Sequence, residues 1–205
     1  MTDQIPAHIT AMAAMAAKEP VQDYQYPPKP LARLDADIRV TYTGVCATDV
    51  HMIDNDWGMS RYPLVPGHEV VGHVIAVGSD VTHLAVGDVV GLGAQAQACG
   101  HCDKCEAGID NLCPERKFTY FENTVDETGE HVHHGGFSAY LRTDSRYLCK
   151  VPDGDGEQYV GPLLCGGLTA AAPLYAVAGD TWDLQGKRVG IVGIGGLGHM
   201  AIQVA

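Results

Sequence analysis

The chain is short of positive charge. Lys and Arg total 13 against 25 Asp and Glu, for a formal net charge of −12. Binding phosphate backbones needs a basic face, so this balance argues against nucleic acid as a partner. It argues equally against a polybasic membrane-surface role. No apolar run approaches the roughly 18 residues needed to span a bilayer. A basic n-region is lacking too: Asp3 stands near the start, and the small-apolar run Ala11–Ala17 is short and has no cleavage-like context. No secretory signal is expected, and the setting expected is cytoplasmic. In a reducing compartment the seven cysteines read better as metal ligands or core residues than as disulfides.

What is present is an ordinary globular composition. The 205 residues are 46% hydrophobic, which excludes wholesale disorder and suits one to one and a half cores. The 25 Gly and 11 Pro point to many turns and a β-rich chain. Asp37–Val45 alternates, with Ile38, Val40 and Tyr42 set against Arg39 and Thr41; Glu69–Val77 and Val86–Leu92 read as further strands. Thr10–Ala17 looks helical by composition, and Leu168–Ala178 is a helix candidate after Gly166-Gly167. There are no internal repeats or low-complexity tracts.

Four cysteines fall close together: Cys99, Cys102 and Cys105, each separated by two residues, then Cys113. Two-residue spacers let thiolates converge on one ion, and Gly100 and Gly108 can supply the backbone angles such a loop needs. Four soft, negative donors match a closed tetrahedral zinc site, whose role is structural. Two disulfides, a redox pair or an iron–sulfur cluster are the alternatives that spacing leaves open. His101 lies inside the loop but is not needed as a ligand.

A second set is scattered: Cys46, His68-Glu69 and Cys165. Each alone reads as a small core residue or a turn histidine. Cysteine and histidine donors that leave a zinc position open would instead make a catalytic site. Further along, Lys187–Val192 reads as a short apolar strand running into Gly193-Ile194-Gly195-Gly196-Leu197-Gly198 and a helix-compatible His199–Ala205. That is G-x-G-x-x-G in the strand–turn–helix setting of a dinucleotide-binding loop.

Taken in order, Gly44-Val45-Cys46-Ala47-Thr48-Asp49-Val50-His51, Pro66-Gly67-His68-Glu69-Val70-Val71-Gly72, the four-cysteine loop and Leu163-Leu164-Cys165-Gly166-Gly167 resemble the zinc-dependent medium-chain alcohol dehydrogenases. Asn55-Asp56-Trp57-Gly58, Asn111-Leu112-Cys113-Pro114 and Gly135-Gly136-Phe137-Ser138 resemble the cinnamyl alcohol dehydrogenase branch. The resemblance runs from about Ala11 onward. It implies a mostly β chain with some α: a GroES-like catalytic barrel over 1–155, then a linker helix and the first strand and helix of a Rossmann domain over 156–205. It implies strand, not helix, near Thr10–Ala17.

The resemblance also assigns roles. Cys46, His68 and Cys165 would hold a catalytic zinc, with Glu69 as a transient fourth ligand, and Cys99, Cys102, Cys105 and Cys113 a structural one, two Zn²⁺ per chain. Thr48 and His51 would relay a proton through the cofactor ribose. Asp49 would fix the tautomer of His68; its other reading is a helix N-cap, and the two roles are compatible. Gly193, Gly195, Gly196, Leu197 and Gly198 would hold the pyrophosphate of NADP(H) or NAD(H). Trp57 is a substrate-pocket aromatic or a core residue. His131, His133 and His134 read as an exposed, solvated loop, and Cys149 as a core residue.

The implied reaction interconverts primary alcohols and aldehydes by hydride transfer. A Rossmann fold needs about six strands, and the residue that selects NAD or NADP lies about 20 positions past the glycines. The chain is therefore expected to be the N-terminal portion of such an enzyme, with apolar surface exposed over 187–205. A zinc-binding fragment with little activity is the second reading, and a zinc-free quinone-reductase relative the third. Full-length members of the family are homo-oligomers; the state of this chain is left open.

Overall fold

The computed structural model describes residues 4–120, 133–154 and 156–205. In chain order the elements are β1 (Ile9–Ala13), β2 (Gln22–Tyr26), β3 (Asp35–Thr43), α1 (Ala47–Asp54), β4 (Val70–Val77), β5 (Val89–Leu92), β6 (Gln95–Gln97), α2 (Asp103–Glu106), β7 (Lys117–Phe118), β8 (Tyr140–Asp144), β9 (Leu148–Lys150), α3 (Glu157–Val160), α4 (Gly166–Ala178) and α5 (Gly196–Val204). No single helix is long and apolar enough to cross a membrane among the described residues.

The main sheet is antiparallel and open, in the order β8-β3-β4-β5-β9, with β1-β2 and β6-β7 as separate ribbons. Its inward side chains are those the alternation selects: Ala36, Ile38, Val70, Val74, Val90, Leu92, Leu141 and Leu148 form one buried cluster. Register shifts at Asp37/Ile38 and Val40/Tyr42 mark bulges, which bend and twist the sheet. A second cluster of Ile9, Ala11, Ala13, Tyr26 and Val65 makes β1 a strand. Its Ala and Met residues favour helix, but the β1–β2 pairing and the burial of one face override that weak preference. Buried charges are paired: Arg142 forks onto both oxygens of Asp37 at 2.6 and 2.8 Å.

Three expectations are corrected. Cys149 is exposed; the strand reading of its segment holds, but Leu148 takes the inward side of β9 and leaves the cysteine outside. His133 is buried and His134 half-buried; His131 lies outside the described residues. The backbone after them is tied to another loop, through Gly135 N–H to Val65 O and Gly136 N–H to Gly67 O. This draws His134 to 3.8 Å from the Tyr26 ring. Lys187–Val192 forms no strand, because no described segment lies alongside it to complete a ladder. Val189 and Val192 within it are exposed and Ile191 is half-buried, and Ile194 and Leu197 beyond it are exposed as well.

Burial pushes the His133 imidazole down to about 4, with Lys29 adding to the effect. Unfolded, the same ring titrates near its ordinary 6.5. Its contribution to stability is therefore complete above that value and falls away as pH drops toward 4, by about 3 kcal/mol in all. Denaturant unfolding compared at pH 7 and 4.5 should show this loss in the wild type and a smaller one in His133→Gln.

Candidate functional site: two donor clusters and a glycine loop

The β3–β4 ladder brings the first cluster together. Thr43 pairs with Val70 at one end of the ladder, so the residues that follow β3 and those that precede β4 emerge side by side. Gly44 N–H donates to Glu69 O at 2.9 Å. Cys46 caps α1 on one chain segment, while His68 and Glu69 sit on the other. Cys165 arrives from far along the sequence, after the 3₁₀ turn Gly161–Leu164. That turn lies against β5: a side chain at Gly91 would stand 2.8 Å from a Leu164 methyl.

One donor atom from each of Cys46, His68, Glu69 and Cys165 lies within 4.8 Å of all the others. The two sulfurs are 3.9 Å apart. For a zinc tetrahedron with 2.3 Å Zn–S bonds the expected S···S separation is about 3.8 Å. His68 Nε2 stands 3.2 Å from Cys165 Sγ, a little inside the roughly 3.6 Å of an ideal S–Zn–N corner. The electrostatics agree. Burial alone would lower the His68 pKa, but Asp49 and the Cys165 sulfur outweigh it and push it up to about 10. Negative groups thus converge where a positive charge is needed. Burial raises the Glu69 carboxyl above its usual range.

Asp49 organises the surroundings. It is buried at 1% exposure and is the third residue of α1, where it closes a capping box, so the N-cap position expected for it belongs to Cys46. Its Oδ2 accepts from Cys46 N–H at 2.8 Å. Its Oδ1 accepts from Gly67 N–H at 2.9 Å and lies 3.1 Å from His68 Nδ1. Burial would raise its pKa, but the hydrogen bonds from His68, Tyr120 and Cys46 prevail and hold it below the usual carboxylate range. Tyr120 is the residue that sequence reasoning missed. Its hydroxyl donates to Asp49 Oδ1 and lies 3.1 Å from His68 Nδ1. No pattern flags it, since its partner stands 71 positions away and a buried tyrosine is ordinarily just core.

Thr48 is half-buried, with its amide and hydroxyl against the Cys46 sulfur. His51 is exposed, with Nδ1 2.8 Å from Asp56 Oδ2. The two are three apart on α1, hence on one face. Trp57 is not a core residue: it is exposed and its ring centroid is 5.2 Å from that of His51.

The quartet occupies the excursion between β6 and β7. Cys102–Cys105 and Cys113–Cys99 are 3.6 Å apart and Cys99–Cys105 3.9 Å, again the edges of a tetrahedron with about 2.3 Å bonds. Gly100 (φ +82°) and Gly108 (φ +70°) hold the left-handed angles the loop needs. The His101 amide draws the Cys99 thiol down to about 6, whereas burial pushes Cys105 up to about 12. The four sulfurs together form a group that could hold a metal ion. His101 and Glu115, though near Cys99, are exposed.

The glycine run opens α5, with Gly195 as its N-cap. A cleft of about 480 Å³ lies between this loop and α4, lined by Thr169, Pro173, Val192, Gly195 and Leu197 among others. A side chain at Gly198 would strike Gly193 O at 1.8 Å, so the loop folds tightly back on itself.

Residues 33–153 match the alcohol dehydrogenase GroES-like domain family, and the chain belongs to it. It is 40% identical over 199 residues to the aldehyde reductase YahK of Escherichia coli K12, covering 96% of this chain and 55% of that protein. It is 40% identical over 193 residues to a probable cinnamyl alcohol dehydrogenase 1 of Aralia cordata, covering 93% of this chain and 52% of that one. Among solved structures it resembles a Sorghum bicolor cinnamyl alcohol dehydrogenase, SbCAD4 (TM-score 0.87, 38% identity, 96% of this chain and 55% of that one). It also resembles a Helicobacter pylori CAD complexed with NADP(H) (TM-score 0.86, 30% identity, the same coverage). The chain spans about half the length of the curated relatives it matches.

Asp49→Ala would take from the Cys46 and Gly67 amides the carboxylate that accepts from both. The expected cost is about 3 kcal/mol, read as a lower denaturant midpoint.

Proposed function

We propose that this chain carries the metal-binding and phosphate-binding parts of an oxidoreductase that interconverts primary alcohols and aldehydes with NADP(H), or NAD(H). Residues 1–155 form the catalytic unit and 156–205 begin the dinucleotide-binding one. The observation that carries this reading is the meeting of Cys46, His68 and Cys165 with Glu69 at the end of the β3–β4 ladder: three donors of the kind zinc takes, and a fourth group that can yield its place to a substrate oxygen. The NADP preference rests on the Helicobacter structure's bound cofactor, and the substrate class on relatives named aldehyde reductase and cinnamyl alcohol dehydrogenase. All seven cysteines are free, which suits a reducing, cytoplasmic setting.

Zinc bound by Cys46, His68 and Cys165 would supply Lewis-acid polarisation of an alcohol or carbonyl oxygen, and the dinucleotide the hydride. The chain's own residues do the rest. The Thr48 hydroxyl, beside Cys46, accepts the proton of a substrate hydroxyl as it gives up its own, and His51 is the acceptor that passes a proton to solvent from the exposed end of the same helix face, with Asp56 steadying its ring. Asp49 keeps His68 oriented. The closed Cys99–Cys102–Cys105–Cys113 site shapes its lobe and takes no part in chemistry. Gly193, Gly195, Gly196, Leu197 and Gly198 receive the pyrophosphate. A second reading, zinc binding without turnover by these 205 residues alone, is favoured by the exposure of Val192, Ile194 and Leu197 around that loop.

Metal analysis is expected to give two zinc per chain and one in Cys165→Ser; none at all would instead favour a zinc-free relative. Loss of nicotinamide absorbance with NADPH and an aromatic aldehyde then separates the two zinc readings. If turnover is seen, Thr48→Val should slow it by about 10²- to 10⁴-fold. A variant as fast as wild type would remove Thr48 from the relay.

A further inference from the structure

We infer that Tyr120 is a positioning residue for the metal site, its hydroxyl fixing the proton arrangement that leaves His68 Nε2 free to bind a cation. This deepens the reading above and rests on it. Three polar atoms meet in a buried triangle: Asp49 Oδ1, His68 Nδ1 and Tyr120 Oη, with Nδ1 3.1 Å from each oxygen and the hydroxyl within hydrogen-bond reach of the carboxylate. All three residues are at most 3% exposed, so water does not substitute for a missing partner.

The protons can be placed in one consistent way. A carboxylate only accepts, and a phenol has one proton to give. The Tyr120 hydroxyl therefore donates its proton to Asp49 Oδ1. Tyr120 then shows Nδ1 a lone pair. With an acceptor on both sides, Nδ1 keeps its hydrogen, so the proton the ring gives up when a cation binds is the one on Nε2, the atom that faces Cys165 Sγ at 3.2 Å. Asp49 by itself would favour the same tautomer. Tyr120 closes the remaining freedom: it blocks the second direction from which Nδ1 could be approached and restrains the carboxylate against rotating away. It also clamps the site across the fold. Asp49 lies on α1, His68 just ahead of β4 and Tyr120 just after β7, so the strand leaving the four-cysteine lobe is pinned directly to the first cluster. The ring centroids of His68 and Tyr120, 5.7 Å apart, add packing to the same contact.

The test is metal retention by the full chain. Wild-type protein and Tyr120→Phe are loaded with zinc and titrated with a chelator, then reloaded with cobalt(II) and their visible spectra compared. The quartet ion is the internal control. Tyr120→Phe is expected to release the ion at Cys46, His68 and Cys165 about 10- to 100-fold more readily, to shift the cobalt bands of that site, and to hold the quartet ion unchanged. Equal retention and identical bands would overturn the inference, as would equal weakening of both sites, which marks a general packing defect. Should Tyr120→Phe fail to fold, 3-fluorotyrosine placed at position 120 keeps the shape and strengthens the donor. Shifted cobalt bands then support the inference and unchanged bands overturn it. A wild-type chain that takes up only the quartet ion brings down the metal reading itself, and this inference with it.

Discussion

The carboxylate of Asp49 is the constraint on which the first donor cluster depends. It is buried, ionised and surrounded by four donors drawn from three parts of the chain: the amide of Cys46, the amide of Gly67, the ring of His68 and the hydroxyl of Tyr120. A carboxylate in an apolar setting is tolerable only when its lone pairs are engaged. Meeting that demand holds the start of α1, the loop before β4 and the exit from β7 in one arrangement. The two sulfurs and the imidazole then face each other at metal-binding distances because their backbones have no other place to be.

The sheet supplies the scaffold for this. Antiparallel pairing of β3 with β4 fixes which ends of the strands coincide, and the burial of Ile38, Val70 and Val74 on one face forbids a one-residue slip. Cys46 and His68 are thereby neighbours. Cys165 has no such ladder to ride on. It is set by a turn pressed onto the bare backbone of Gly91, a close approach that a larger residue would prevent. The four-cysteine lobe is held differently, by local geometry: short spacers, two left-handed glycines and a short helix capped by Cys102.

The glycine loop sits in a contrasting environment. It opens α5, and α4 packs against that helix, where a side chain at Gly166 would come within 3.5 Å of the Met200 sulfur. Around it, Val189, Val192, Ile194 and Ile202 are exposed. Apolar side chains of this kind in a dinucleotide-binding unit are normally covered by neighbouring strands. The proposed chemistry therefore places its proton handling on well-packed structure and its cofactor handling on sparsely packed structure.

Much of this was legible in the residues alone. The alternation of β3, β4 and β5, the four-cysteine spacing, the glycine loop and the ordered short motifs depend on near neighbours, which a linear sequence displays directly. Composition misled where it spoke for only part of the physics. Ala and Met suggested helix at β1, and the pairing partner decided otherwise; polar histidines at 133 and 134 suggested solvent, and backbone bonds to 65 and 67 drew them inward; Cys149 alternated as a strand residue should, but which side faces the core is set by the sheet, not by the residue. Tyr120 was invisible for the most general reason. Its significance is a contact with a carboxylate on another element, and a contact between distant positions exists only after the chain has folded. The sequence determined which donor groups this protein has and which of them are locally grouped. Which scattered ones share a site could be read beforehand only through a family resemblance; tertiary structure decided it physically, because that depends on strand register and on how buried charges are satisfied.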